Sequence, residues 1–267
     1  MKKFIHIFTT TLLLGAAAQM AFAQKVDTIR LKDQRLLTSA LKPGLKQYLV
    51  YFQIPNRPKD LKYWLWLRDI KRDTKNGENV FTISQHWYGS DTTTYREVYS
   101  INRAKDFAPI YHAESVAGKL KAFNWGATQI VGSDTTKQNT QANFKLDFKA
   151  PCFNWNLDIE TFEQLPLAEG KTFAINFYDA GFDVPKYVNY SVVGSELLQT
   201  LDGQKIDCWL LRTESENRGA KYVQTFWISK KGHELLKEED TFPNGYRYKV
   251  KLPALSPDIY ARFPKKP

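Results

Sequence analysis

Histidine, cysteine, serine and paired carboxylates are the side chains through which this chain could do chemistry, and their spacing favours no known site. Beyond the N-terminal segment, histidines stand at 86, 112 and 233, far apart and in no His-x-x-x-His or His-Glu-x-x-His pattern, so a zinc site has no support. Gly194-Ser195-Glu196 lacks the second glycine of a nucleophile elbow and lies in a strand-like context. Cys208 sits in the apolar run 206–211 beside Trp209, a poor setting for a thiolate. Asp158 with Glu160, and Glu238 with Glu239, are the nearest carboxylate pairs. Strand neighbours point to opposite faces, and nothing specifies two acids across a cleft as glycoside hydrolysis needs. Phosphate-cradling glycine loops are absent too. The expectation is a protein without catalytic residues, cofactor or metal, and therefore not an enzyme.

Aromatic side chains are the remaining chemical signal. Tyr63, Trp64, Trp66, Trp87, Tyr88, Tyr95, Tyr99, Phe123 and Trp125 crowd the first half. On a strand through 62–68, Trp64 and Trp66 share one face while Tyr63, Leu65 and Leu67 share the other. Both faces are apolar, which suits either a packed core or a cavity wall, and alternation does not say which set points inward. Trp64 and Trp66 are therefore candidate ligand-lining residues.

Period-two alternation dominates the elements that must carry these side chains. Phe144, Leu146 and Phe148 alternate with lysines and Asp147; Phe173, Ile175 and Phe177 alternate with Thr172, Ala174 and Asn176; Tyr246, Tyr248, Val250 and Leu252 alternate with Arg247, Lys249 and Lys251. Each set predicts an antiparallel strand that buries its apolar face and wets the other. Further strands are expected at 46–54, 62–70, 79–88, 93–101, 108–116, 120–131, 187–196, 206–213, 220–229 and 233–240. Asn76-Gly77, Asp202-Gly203, Lys231-Gly232 and Asn244-Gly245 supply hairpin turns. One segment breaks the period: Trp155, Ile159, Phe162 and Leu165 fall on one helical face, and Pro166 stops it. That stripe predicts a helix packed on a curved sheet, with Asp158 and Glu163 outward. If the sheet encloses a ligand, Trp155, Ile159 and Phe162 join its lining. The fold class is mainly β (α+β), a strongly curved antiparallel sheet or incomplete barrel with one amphipathic helix.

Residues 1–23 have the layout of a secretory signal: Lys2 and Lys3, an apolar run to Met20, then Ala21-Phe22-Ala23. Cleavage after Ala23 predicts a periplasmic or secreted protein with no transmembrane span in the mature chain. Residues 24–45 read as a loosely held lead-in, 46–252 as one β-rich domain, and 253–267 as a proline-rich tail. Losing Lys2 and Lys3 lowers the net charge from +10 to +8. Dispersed, solubilising surface lysines account for that value first; the sharper alternative is attraction to anionic headgroups or polyanions at a bacterial surface. No long basic tract exists, which argues against a nucleic-acid partner. Cys152 and Cys208 allow one intramolecular disulfide in an oxidising compartment, and spacing alone leaves that bridge open.

From Pro151 onward the chain resembles a family of exported bacterial proteins classed only as a domain of unknown function. The residues that carry the likeness are Trp155 to Phe162, Leu165 to Lys171, Tyr190 to Glu196, Asp202 to Trp209 and Phe226 to Lys237. It is strongest over roughly 151–250 and thins before that. The family is grouped by fold with lipoprotein carriers and acceptors of the Lol type. That resemblance implies a half-barrel with a helix against its concave side, where carriers hold acyl chains, and it brings no catalytic residues. Three roles are expected in order: an envelope protein binding a lipid or other hydrophobic small molecule, a structural or adaptor protein of an envelope complex, and a glycan-active enzyme.

Overall fold

The computed structural model describes residues 26–59, 62–89, 92–182, 184–217 and 219–254. The signal segment and the tail beyond 254 lie outside the described residues. Strands β1 (Val26–Ile29), β2 (Gly44–Gln53), β3 (Lys62–Lys75), β4 (Glu78–Tyr88), β5 (Arg96–Arg103), β6 (Pro109–Val116), β7 (Lys119–Trp125), β8 (Gln129–Gly132) and β9 (Lys145–Asp147) come first. The two-residue β10 (Phe153–Asn154) and a 3-10 turn, Trp155–Leu157, lead into helix α1 (Asp158–Phe162). Strands β11 (Thr172–Tyr178), β12 (Lys186–Gln199), β13 (Lys205–Asn217), β14 (Ala220–Ser229), β15 (Leu235–Phe242) and β16 (Gly245–Lys251) complete the chain.

All strands belong to one curved sheet in the order β1-β11-β12-β13-β14-β15-β16-β2-β3-β4-β5-β6-β7-β8-β9, with β10 also on β11. Two meanders are thus joined through β16 and β2, pairing Tyr248 with Tyr51 and Val250 with Leu49. Among the described strands, only β1 and β10 run parallel to their partner, β11. Turn chemistry fixes the hairpins. Asn76 and Gly77 both take positive φ, 50° and 80°, the geometry of a two-residue primed turn. Ala117 and Gly118 do the same between β6 and β7, although alanine gives no such hint in the sequence.

The core lies on the concave side and is filled by the helical segment. Phe162 packs on Tyr190 (ring centroids 4.6 Å apart), Phe226 (4.9 Å) and Phe177 (6.1 Å), while Ile159 and Leu165 are buried in the same cluster. The apolar stripe therefore sits as its spacing predicts. Its opposite side does not face water: Glu160 and Glu163 are fully buried and Asp158 is half-buried, because the sheet curls around both sides of the helix. A second cluster, Phe123, Trp125 and Ile130 with Cys152, Tyr178, Phe144 and Phe148, joins the two ends of the sheet; Phe148 meets Tyr178 at 5.9 Å.

Three further expectations need correction. The lead-in of residues 24–45 contains β1 and the buried Ile29, Leu36 and Leu41, so much of it is part of the domain. In β16 the faces are reversed: Lys249 is 5% exposed inside the sheet, whereas Tyr246 is 40% exposed outside. Inside the sheet Lys249 pairs with Glu238 of β15 at 2.5 Å and lies 4.5 Å over the Trp66 ring, so lysine goes in. Strand β11 is buried on both faces, with Asn176 donating to the backbone oxygens of Ala150 (3.3 Å) and Pro151 (3.1 Å).

Candidate functional site

Inside the sheet, the helix is held by charge as well as by packing. The Arg68 guanidinium, carried inward by β3, donates to Glu163 through Nη1 (3.1 Å) and Nη2 (2.7 Å) and sits 2.8 Å from Glu160. Lys46 of β2 adds a contact to Glu163 at 3.4 Å, and the Leu235 amide donates to Glu163 Oε1 at 2.9 Å. Opposing burial, these partners hold the Glu163 carboxyl down at about 2. Glu160 has ion contact with Arg68 but no hydrogen bond among the described residues, and burial pushes its carboxyl up. A second set lies along β15 and β16: Glu238 is held by Lys249 (2.5 Å) and Arg247 (2.6 Å), and Arg247 also meets Asp240 (2.5 Å). Burial raises Asp158 to about 7 and Asp240 to about 6.

The sequence-predicted lining residues are all on this filled interior. Trp66 stacks on Trp87 at 4.9 Å and meets Tyr48 at a tilt at 4.8 Å, and its Nε1 donates to Gln85 at 3.1 Å. Trp64 and Trp155 pack on the core, and Ile159 and Phe162 are buried within it. The inward set on β3 is thus Trp64 and Trp66; Tyr63, Leu65 and Leu67 lie on the opposite face, where Tyr63 is exposed and Leu67 is buried. The three histidines stay apart. His112 Nδ1 lies 2.9 Å from Ser100 Oγ and 3.0 Å from Asn154 Nδ2, and burial drops it to about 3, so it packs as a neutral ring. His86 pairs with Tyr95 at 2.7 Å, and His233 is a turn residue at φ 52°. No cluster able to hold a metal occurs among the described residues. Cys152 and Cys208 are free thiols in separate apolar clusters, so the disulfide left open by the sequence is not formed.

Room for a ligand lies at one rim of the sheet. A groove of about 960 Å³ runs between the β12–β13 and β14–β15 hairpin tips and the end of β16. Leu198, Ile206, Leu236 and Val250 give it apolar walls. Behind them Leu198, Ile206 and Leu236 pack with Cys208 and Trp227, and Trp227 Nε1 donates to Glu196 at 3.1 Å. Six lysines border the groove, Lys42, Lys205, Lys230, Lys231, Lys237 and Lys251, against the carboxylates Asp202, Asp207 and Glu234. Register builds this site. Leu198 pairs with Ile206, and a bulge between Trp227 and Ile228 turns Leu236 outward while Leu235 stays in the core. Sequence reasoning missed the groove because spacing does not reveal that two hairpin tips meet. The lysines bordering the Asp202-Gly203 and Lys231-Gly232 turns were the available signal.

The fold defines a β-barrel-like protein, one open sheet curved around an internal helix. The chain belongs to the family described as a protein of unknown function, DUF3108, whose model matches residues 47–251. The match reaches well before residue 151, where the sequence resemblance thins, and so spans both meanders. No curated protein matches the sequence. Among solved structures, the chain is similar to a β-barrel-like protein of the domain of unknown function DUF1849 from Brucella abortus. The TM-score is 0.50 at 9% identity, covering 79% of this chain and 96% of that one, a likeness of fold alone. No helix among the described residues is long and apolar enough to cross a membrane.

Proposed function

We propose that this is an exported binding protein of the cell envelope that holds a lipid or other hydrophobic ligand, and that the ligand lies in the rim groove instead of inside the sheet. The observation that carries the reading is the groove itself: an apolar-walled space of about 960 Å³, the size of a small-molecule site, beside an interior already filled by α1 and its ion pairs. The resemblance to Lol-type carriers supports a lipid as the class of ligand, and the signal layout of residues 1–23 supports export. Binding without catalysis fits the absence of a catalytic motif in the sequence. Delipidated mature protein titrated with fatty acids of increasing length should give a saturable change in tryptophan fluorescence, because Trp227 lies behind the groove wall. Affinity should rise with chain length, and Ile206→Asp should abolish it in a folded protein. A folded parent that responds to no chain length would remove the carrier role. The adaptor reading would then lead, supported by Val193, Leu197 and Leu201, which are 52%, 60% and 63% exposed along β12 and its turn.

A further inference from the structure

We propose that the groove selects its ligand by an anionic headgroup, a phosphate or carboxylate on an apolar chain, gripped by Lys42, Lys205 and Lys231. The proposal rests on the groove being the binding site and names the chemistry it takes.

The argument is one of charges already spoken for. Lys230 pairs with Asp207 at 3.0 Å and lies 4.2 Å over the Trp209 ring. Lys251 pairs with Glu234 at 2.6 Å, and Lys237 with Glu239 at 2.6 Å. Asp202 is taken up within its own turn, accepting from Thr200 Oγ1 at 2.5 Å and Gln204 Nε2 at 2.8 Å. Every carboxylate in the lining is thus engaged, and Lys42, Lys205 and Lys231 have no ion-pair partner among the described residues. These three come from three different elements: the segment before β2, the start of β13 and the β14–β15 turn. Like charges brought together from separate elements raise the local positive potential, which an anion relieves and a neutral or cationic headgroup does not. A free anion would use the lysines and leave the wall of Leu198, Ile206, Leu236 and Val250 uncovered. A neutral lipid would use the wall and leave the lysines unneutralised. An anionic amphiphile satisfies both.

Calorimetric titration of the mature chain with decyl phosphate, decanol and inorganic phosphate separates these cases. Decyl phosphate should bind about tenfold tighter than decanol, a ratio of about 1.4 kcal/mol shared over three exposed charge contacts. Its affinity should fall with added salt, and decanol's should not. Lys205→Gln/Lys231→Gln, both surface changes, should bring decyl phosphate close to decanol while leaving decanol binding unaltered. Equal binding of the two amphiphiles, insensitive to salt and to the lysine changes, would overturn the headgroup proposal and leave the groove reading standing. Inorganic phosphate binding as tightly as decyl phosphate would also overturn it, making this a free-anion site. If neither amphiphile binds folded protein, the groove reading itself fails and this proposal falls with it.

Discussion

Removing Arg68 should do more damage than removing any single exposed ion pair, and the damage should depend on pH. Arg68 is completely buried and holds Glu160 and Glu163 against the interior of the sheet. Arg68→Met keeps most of the stem's volume but strands two buried carboxylates, of which only Glu163 retains a cation, Lys46 at 3.4 Å. Breaking a buried pair in this way costs about 3–5 kcal/mol. For a domain of this size each kcal/mol moves Tm by about 2–4 °C, so a fall of about 6–20 °C is expected at neutral pH. The sign with pH follows from Glu163. Its folded value, about 2, lies below its usual 4.5, so in the parent its stabilisation is present above the unfolded value and is lost as pH falls towards 2. In the variant both carboxyls titrate upward, protonation relieves them, and the gap from the parent should narrow between neutral pH and pH 4. Arg68→Met/Glu160→Leu/Glu163→Leu, which removes the charges together, should recover most of the loss. Urea unfolding followed by tryptophan fluorescence at several pH values reads all three proteins. A variant within about 1 kcal/mol of the parent at neutral pH, or a gap constant with pH, would refute the claim that this network latches the helix.

Phe162→Ala removes a ring packed among Phe177, Tyr190 and Phe226 and should cost about 3–5 kcal/mol in urea unfolding; a change near zero would mean the helix is not a packed plug. Asp158, raised to about 7 from 3.8, binds its proton more tightly when folded, so its contribution should fall as pH rises from about 4 to 7. Asp158→Asn should therefore gain on the parent at alkaline pH and lose that advantage below pH 4, and a difference flat with pH would contradict the burial argument. Thiol titration in denaturant without reductant should find two free cysteines, and a reductant should leave Tm unmoved. N-terminal sequencing of exported protein should begin at Gln24; a Met1 start on membrane-embedded material would contradict processing.

Much of the scaffold was legible because its strands obey a local rule. Phe173, Ile175 and Phe177 face the core as alternation predicts, and Phe144, Leu146 and Phe148 cover the second cluster. The buried face was readable from Ile159 and Phe162, but the helix is shorter than the stripe suggests: it spans Asp158–Phe162, and Trp155 lies in the 3-10 turn before it. The buried charges were not. A polar residue in an alternating strand is assigned to water, and four break that rule by pairing inside the sheet: Lys46 and Arg68 with carboxylates of the helical segment, Glu238 and Lys249 with each other. The first of these appositions depends on β16 pairing with β2, a contact across some 200 residues that no local pattern encodes. The same closure reverses β16, sending Tyr246 outward. The groove was hidden for a related reason, since Leu198 and Leu236 become neighbours only through the register of two hairpins and one bulge.

Where the ligand sits is the central claim, and photo-crosslinking tests it most directly. A diazirine-bearing fatty acid, activated on the folded protein and mapped by peptide mass spectrometry, should label residues 198–206, 229–237 and 250–253 around the groove. Labelling concentrated on the peptides of Trp64, Trp66 and Phe162 would place the chain inside the sheet and contradict the account.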